Sequence, residues 1–378
     1  MRAKSELCSF GLGVLLLGAG GACSSSGAGG GPAASTAGVA GISGGGASGT
    51  AATAGTNSGG TSANSGTNSG GTSAGAGTNS AGAGGTSRAG AASGGAAGSE
   101  ADAYDAAVLA DHPVAFWAMN QSPASEPDLT GNGHNGSYLG RPTPVAHLPN
   151  GDLVVVFDGA QQYLTVASSA AFSIPTTGNL VWEAWLRPDV LQFPHDDGTS
   201  GYVDWLGKCE NYSPTCEWEA RLYDLNTKET PNRPNRLSAY VFNPSAGLGS
   251  AADWQPSAGL IAAGSWYHVV GQYTTLTQPA DCVNTAAAPG SIDIWVNGVK
   301  WNHASHGQTG CMSQYNVVPK ANGSALDIGT MSKESFFLGA IGKVAIYDHL
   351  LSQVQIANHY GTMTGKAPSG SCADTCSF

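Results

Sequence analysis

Large hydrophobic side chains are distributed in three regimes along the chain. Residues 11–20 (GLGVLLLGAG) form one short apolar run. From Ser24 to about Gly98 large apolar residues all but vanish, and from Tyr104 they return in short bursts between turn residues. Those bursts read as strands. Residues 114–119, 153–157 and 163–166 come first, and residues 180–186 (LVWEAWL) alternate until Arg187-Pro188 stops them. Residues 202–207 and 217–223 flank a cysteine-bounded loop, and 236–242, 266–273 and 291–299 follow, the last with an Asn297-Gly298 hairpin turn. Residues 325–329 precede a closing strand through Val344, Ile346 and Tyr347. One short helix is predicted after it. Ser352 and Gln355 make a capping box, Leu351 and Ile356 a hydrophobic staple, and Gly361 is the expected stop. About a dozen short strands with little helical period predict an all-β sandwich or barrel.

Composition divides the chain. More than half of the 56 glycines precede residue 100. Residues 24–100 carry no aromatic side chain, and Thr-Asn-Ser recurs at Thr56, Thr67 and Thr78. Such a segment buries too little apolar surface to offset its ordering entropy, so it is expected to be a disordered linker spanning on the order of 50 Å. The folded domain is expected over 101–363, with a cysteine-containing tail over 364–378. A net charge of −11 with few basic residues argues against nucleic acid.

Residues 1–23 read as an export signal: Arg2 and Lys4 precede the apolar run, and small residues follow it. Gly21-Ala22-Cys23 resembles the end of a bacterial lipobox, which makes Cys23 the candidate lipidation site and places the protein at the outer membrane or cell surface; an ordinary secretory signal is the alternative. Membrane contact is then through the lipid alone. Beyond Cys8 and Cys23, six cysteines remain: Cys209, Cys216, Cys282, Cys311, Cys372 and Cys376. An even count in an exported chain favours disulfides, and sequence does not choose among the pairings. Local spacing favours Cys209–Cys216, Cys282–Cys311 and Cys372–Cys376. No CxxC pair supports a zinc site.

Several motifs now align with a known family. Tyr104, Val108-Leu109-Ala110-Asp111, Pro113-Val114-Ala115 and Trp117 resemble the Y-x-x-x-V-L-A-D-x-P-V-A-Y-W opening of LamG-like domains. Asp128, Gly131-Asn132-Gly133 and Asn135-Gly136 resemble their D-x-S-G-N-G-N-N-G loop. Phe157-Asp158-Gly159, Glu183-Ala184-Trp185, Trp266-x-His268-Val269, Asn297-Gly298 and the closing 336–360 stretch follow in the family order. The resemblance is to the concanavalin A-like lectin and glucanase superfamily. It implies a two-sheet antiparallel jelly roll, in which many relatives bind carbohydrate, often with calcium, and some are glycosidases.

Candidate chemistry follows from these readings. A calcium ion would draw on Asp128, Asn132 and Asn135, although Gly342-Lys343 stands where many relatives carry an aspartate. Saccharides are held by aromatic faces with a few polar groups, and Tyr202, Trp205, Tyr212, Trp218 and Trp254 cluster in sequence with Glu219 and Arg221. Trp117, Trp185 and Trp266 read as core. Glu217 and Glu219 alternate on one strand face and read as solvated, outward-facing glutamates rather than a catalytic pair. The superfamily's E-x-D-x-x-E glucanase pattern is absent, as is G-x-S-x-G. The expectation is a non-catalytic module that binds polysaccharide or glycosylated surface material. A glycan-cleaving enzyme and a protein-binding adhesion module are the alternatives.

Overall fold

In the strand Asn179–Pro188, Leu180, Trp182, Ala184 and Leu186 enter one buried cluster, whereas Val181 and Trp185 enter another. That period-2 division sets the architecture, because a strand with two apolar faces must be covered on both. The computed structural model describes residues 100–369, apart from 211–214, 226, 229–232, 255–260, 278, 281, 283–287 and 302–308. The export signal with Cys23, the linker up to residue 99, Tyr212, Cys372 and Cys376 lie outside the described residues.

Two antiparallel sheets face each other. The first runs Val299–Lys300, Ser291–Val296, Tyr267–Thr274, Asn179–Pro188, Leu338–Tyr347, Leu153–Asp158 and Thr143–His147, with Ala115–Trp117 also paired to Leu338–Tyr347. The second runs Ser250–Trp254, Leu237–Val241, Trp218–Tyr223, Tyr202–Lys208, Leu326–Ile328, Tyr163–Val166, Gly136–Leu139 and Ser125–Glu126. The main core lies between them, with Trp117, Trp182, Trp205, Trp218 and Trp301 fully buried in it. This is the jelly-roll sandwich expected from the sequence. The Asn297-Gly298 turn has φ of 52° and 79°, as a two-residue hairpin requires.

Both expected disulfides within the described residues are present, Cys209–Cys216 and Cys282–Cys311. The C-terminal helix Gln353–Thr364 carries the predicted capping box: Ser352 Oγ accepts from Gln355 N–H and Gln355 Oε1 accepts from Ser352 N–H. It does not stop at Gly361. The helix runs through that residue and is closed by Gly365 at φ 68°, the left-handed position that glycine fills without strain. A second helix, Glu100–Ala110, was not anticipated. Its Tyr104 and Val108 fall four apart and bury one face, a period too short in sequence to stand out from the apolar segment around it. Among the described residues no helix is long and apolar enough to cross a membrane.

The two helices pack together over the outer face of the first sheet, and one buried carboxylate joins them to it. Glu183 Oε1 accepts from Tyr104 Oη at 3.0 Å and lies 2.7 Å from His268 Nε2. Its Oε2 accepts from Tyr347 Oη at 3.0 Å, and His359 Nδ1 lies 3.0 Å from both oxygens. Burial opposes the charge on Glu183, but the His359 and His268 imidazoles outweigh it and hold the carboxyl well below its usual range. Burial likewise opposes protonation of His359, and Glu183 overrides it, pushing the imidazole up to about 9. His359 Nε2 in turn lies 3.0 Å from Asp111 Oδ2.

Removing Glu183 would strand a buried imidazolium and two buried phenols. Glu183→Leu is expected to lower the unfolding free energy by about 3–5 kcal/mol, read from urea denaturation, with Glu183→Gln losing less because it keeps hydrogen-bonding atoms in place.

Candidate functional site

The outer face of the second sheet carries polar side chains by the same alternation. Trp218, Ala220 and Leu222 point into the core, so Glu219, Arg221 and Tyr223 point away from it. On the neighbouring strand Leu237, Ala239 and Val241 point inward and Tyr240 outward, and on the next Ala252 points inward and Asp253 outward. A cleft of ≈ 350 Å³ opens on this face, within the size range of small-ligand sites. Tyr202, Tyr223, Tyr240 and Tyr315 wall it, with Arg221, Arg233, Asp253 and Gln314 among them.

Arg221 organises the floor. Its guanidinium carbon lies 4.4 Å from the Tyr202 ring centroid and 4.1 Å from that of Tyr240, so the cation sits between two aromatic rings. Nη1 donates to Glu219 Oε1 at 3.2 Å and Nη2 to Tyr223 Oη at 3.1 Å. Tyr240 is pinned from the other side, where Gly249 N–H donates to its hydroxyl at 2.8 Å. A Cβ at Gly249 would collide with that hydroxyl and with the Val241 carbonyl, so only glycine fits the approach. Burial raises the Tyr240 phenol and pushes that of Tyr223 up to about 12, keeping both protonated and able to donate at neutral pH.

The far wall comes from a distant part of the chain. Gln314 and Tyr315 belong to the 3-10 turn Met312–Tyr315, which follows directly on Cys311. Cys311 is bonded to Cys282 and pairs with Ser291, while its carbonyl accepts from Ser250 Oγ at 3.3 Å. The Gly310 N–H donates to the Ala251 carbonyl, and Asn243 Nδ2 to the Tyr315 carbonyl at 3.2 Å. The Cys282–Cys311 disulfide therefore braces the cleft. The Cys209 and Cys216 side chains, at the base of the loop where a binding face was expected, are buried against Met331 and Phe242.

Of the aromatic candidates, Tyr202 lines the cleft beside Arg221. Trp205 and Trp218 do not: both are 0% exposed and face the opposite sheet. Trp205 follows the alternation of its strand, with Val203 inward and Tyr202 and Asp204 outward, and the bulge between Asp204 and Leu206 turns the next side chain, Leu206, inward as well. Trp254 is half-buried at the end of its strand, packed on the core and 6.4 Å from the Tyr267 ring. Trp117 and Trp185 are buried as expected. Trp266 is half-buried, donating to the His147 carbonyl at 2.9 Å.

The two glutamates are not solvated. Glu217 is buried and accepts from Ile174 N–H at 2.7 Å, with Lys208 Nζ 3.5 Å away. Glu219 is buried beneath Arg221, next to the equally buried Asp204 on the adjoining strand. Asp204 exchanges hydrogen bonds with Ser335, donating its N–H to the hydroxyl and receiving the hydroxyl at Oδ2. Asp204 Oδ1 and Glu219 Oε2 have no hydrogen-bond partner among the described residues. Burial pushes the Asp204 carboxyl up to about 7 against the pull of Arg221. Burial and then the Asp204 charge push Glu219 well above the usual carboxylate range.

The loop proposed for calcium does not fit a cation. Asp128 Oδ1 accepts from Phe116 N–H, Thr130 N–H and the Thr130 hydroxyl at 3.1, 3.0 and 2.7 Å, and Oδ2 from His134 N–H at 3.1 Å. Asn135 Oδ1 accepts from Asp128 N–H, and Asn132 Nδ2 donates to the Val114 carbonyl. A carboxylate ringed by donors has its lone pairs engaged, whereas a hard cation needs several converging oxygens. Lys343 instead buries its own ammonium 2.6 Å from Asp105 and 2.7 Å from Asp152. Among the described residues no three His, Cys, Asp or Glu side chains converge as a metal site.

Residues 158–357, more than half of the chain, match the family model of the Concanavalin A-like lectin/glucanases superfamily. No curated protein matches the sequence. Among solved structures the chain is similar to domain 4 of the extracellular arabinanase AbnA from Geobacillus stearothermophilus, in complex with arabinotriose. That match has 15% identity over 66% of this chain and 98% of that one, with a TM-score of 0.39. The receptor-binding domain of a botulinum neurotoxin C/D mosaic serotype matches at 10% identity over 66% and 51%, TM-score 0.45. Trypanosoma rangeli sialidase in complex with sialic acid matches at 13% identity over 66% and 32%, TM-score 0.40. The chain thus spans about half the length of the toxin binding domain and a third of the sialidase.

The Asp204 carboxyl gives the fold a pH dependence of definite sign. Between pH ~4 and ~7 the native state holds a proton that the unfolded chain has released, so raising pH favours unfolding. Over that window the wild type is expected to lose stability relative to Asp204→Asn by about 1 kcal/mol per pH unit, measured by urea unfolding of both proteins at stepped pH.

Proposed function

The chain belongs to the concanavalin A-like lectin/glucanase superfamily, and from that premise we propose that it is an exported, lipid-anchored protein that binds carbohydrate without cleaving it. The observation that carries the binding reading is the tyrosine-walled cleft on the outer face of the second sheet. Phenol hydroxyls, guanidiniums and one carboxylate offer both donors and acceptors to sugar hydroxyls, and aromatic walls suit the apolar faces of pyranose rings. Two disulfides fit an oxidising compartment. The basic start, short apolar run and Cys23 supply the anchor, and the Gly/Ala/Ser/Thr-rich linker holds the domain away from the surface.

The non-catalytic reading rests on the cleft's acids. Glycosidases place two carboxyl groups about the scissile bond. Among the described residues Asp253 is the one acidic residue lining this cleft, and it is held by Arg233 at 3.5 Å and Arg236 at 3.6 Å. One observation favours the hydrolase reading: Asp204 and Glu219 are neighbouring carboxyls with raised pKa, as an acid–base pair would be. Both lie beneath Arg221 rather than in the cleft lining, so a substrate would have to displace that guanidinium to reach them.

The test incubates the full-length protein with a panel of polysaccharides and scores bound protein and released reducing ends in the same tubes. Retention without release is expected, with Tyr240→Ala weakening it about tenfold. Sugar release that disappears in Glu219→Gln would establish the hydrolase instead, and retention that no sugar competes away would favour protein adhesion. In cells, Cys23→Ser is expected to move the protein from the membrane fraction to the soluble exported fraction.

A further inference from the structure

We propose that Lys208 and Asn322 join into an intramolecular isopeptide bond, with Glu217 as the general acid–base of the step. None of the three lines the cleft, so the inference stands apart from what the cleft binds.

Strand alternation brings the amine inside. Lys208 stands two residues beyond inward-facing Leu206, and its side chain is 0% exposed. Burying an ammonium is unfavourable unless it is paired or gives up its proton. Glu217 is equally buried, with Oε2 3.5 Å from Lys208 Nζ and Oε1 accepting from Ile174 N–H at 2.7 Å. Burial lowers the Lys208 ammonium and raises the Glu217 carboxyl, and the charge of each partner opposes the other's shift without cancelling it. Both shifts lead toward amine and carboxylic acid, the states that a nucleophilic lysine and its proton donor require.

The electrophile is already in contact. Lys208 Nζ donates to Asn322 Oδ1 at 2.8 Å and also to the Asn322 main-chain carbonyl. The amide carbon Cγ lies one C=O bond beyond Oδ1, so it is at most about 4 Å from Nζ, near the separation of an attacking pair. Ser324, anchored by its Oγ bond to the Thr215 carbonyl at 2.7 Å, donates its N–H to Asn322 Oδ1 at 3.0 Å. That N–H stands where negative charge would build on Oδ1 during attack.

The step balances within the three side chains. The Nζ lone pair forms a bond to Cγ, and the Cγ–Nδ2 bond breaks. Glu217 takes a proton from Nζ and gives its own to Nδ2, which leaves as ammonia. The carboxyl is regenerated, and no oxidant, reductant or further reactant is consumed.

The position suits a clasp. Lys208 pairs with Trp218 on one side and with Leu326 on the other. The bond therefore ties the strand Tyr202–Lys208 to the segment leading into Leu326–Ile328, across 114 residues of sequence. Cys209–Cys216 lies beside it. Unlike that disulfide, an amide is not opened by thiol exchange.

The test denatures, reduces and alkylates the full-length protein, digests it with trypsin and weighs the peptides. The expected product joins peptide 321–333 to the segment holding Lys208, where trypsin no longer cuts, and is one ammonia lighter than their sum. Glu217→Gln and Asn322→Ala are each expected to abolish it and to release peptide 321–333 unlinked. Near-UV circular dichroism from the buried tryptophans reports that these variants are folded. An unlinked peptide 321–333 from the wild type overturns the proposal whether or not any variant folds. Ammonia loss confined to that peptide would mark a succinimide at Asn322-Gly323 and overturns it as well. A branched peptide that persists in folded Glu217→Gln overturns the role given to Glu217.

Discussion

A carboxylate without access to water has to be compensated inside the protein, and Glu183 is compensated by four side chains from distant parts of the chain. Tyr104 reaches it from the N-terminal helix, His268 and Tyr347 from strands on either side, and His359 from the C-terminal helix, with Trp185 Nε1 bonding to Tyr104 Oη at 3.1 Å. The imidazole of His268 and the ring of Tyr360 stack on Trp185 at 5.1 and 6.0 Å. No one of these groups can move without stranding another, which is how a polar network in a low-dielectric site imposes a single arrangement. The first sheet's outer face is closed by that constraint. The second sheet's outer face carries the tyrosine-walled cleft.

The same constraint explains why the fold was so legible. The motifs that resemble the superfamily, Tyr104, Glu183-Ala184-Trp185, Trp266-x-His268 and the closing His359-Tyr360, are largely the members of this hub. They are scattered over more than two hundred and fifty residues and meet at one carboxylate. Such residues identify an architecture because they hold it together, and for the same reason they say little about what the architecture binds. Lys343 is the local exception. Its ammonium is satisfied by Asp105 and Asp152, so a cation is built into the chain beside the strand that was weighed for metal binding.

The cleft was only half legible, and the misses have separate physical causes. Residues 217–223 (EWEARLY) alternate strictly, so Trp218 and Arg221 had to face opposite ways; grouping them by nearness in sequence ignored the pleat. Trp205 is the same case, since it lies three residues from outward-facing Tyr202; the bulge that no sequence pattern announced acts on Leu206 beyond it. Tyr240 and Asp253 were readable in principle from the apolar alternation of their strands. Tyr315 and Gln314 were not, since only the Cys282–Cys311 disulfide and the strand pairing it supports carry that turn to the rim.

Two of the buried acid clusters among the described residues, around Glu183 and around Arg221, differ in how they are compensated. Around Glu183 both oxygens are saturated by donors, and the neighbouring groups hold it ionised. Around Arg221 the accounting is left open: Asp204 and Glu219 each keep an unpartnered oxygen, and their carboxyls are driven toward the protonated form. A fully compensated cluster adds rigidity at little cost once formed, whereas an incompletely compensated one lowers stability and persists where something else uses it. In this protein the incomplete cluster adjoins Arg221 in the floor of the aromatic cleft, on the outer face of the second sheet. The electrostatic imbalance and the accessible surface coincide at the candidate site.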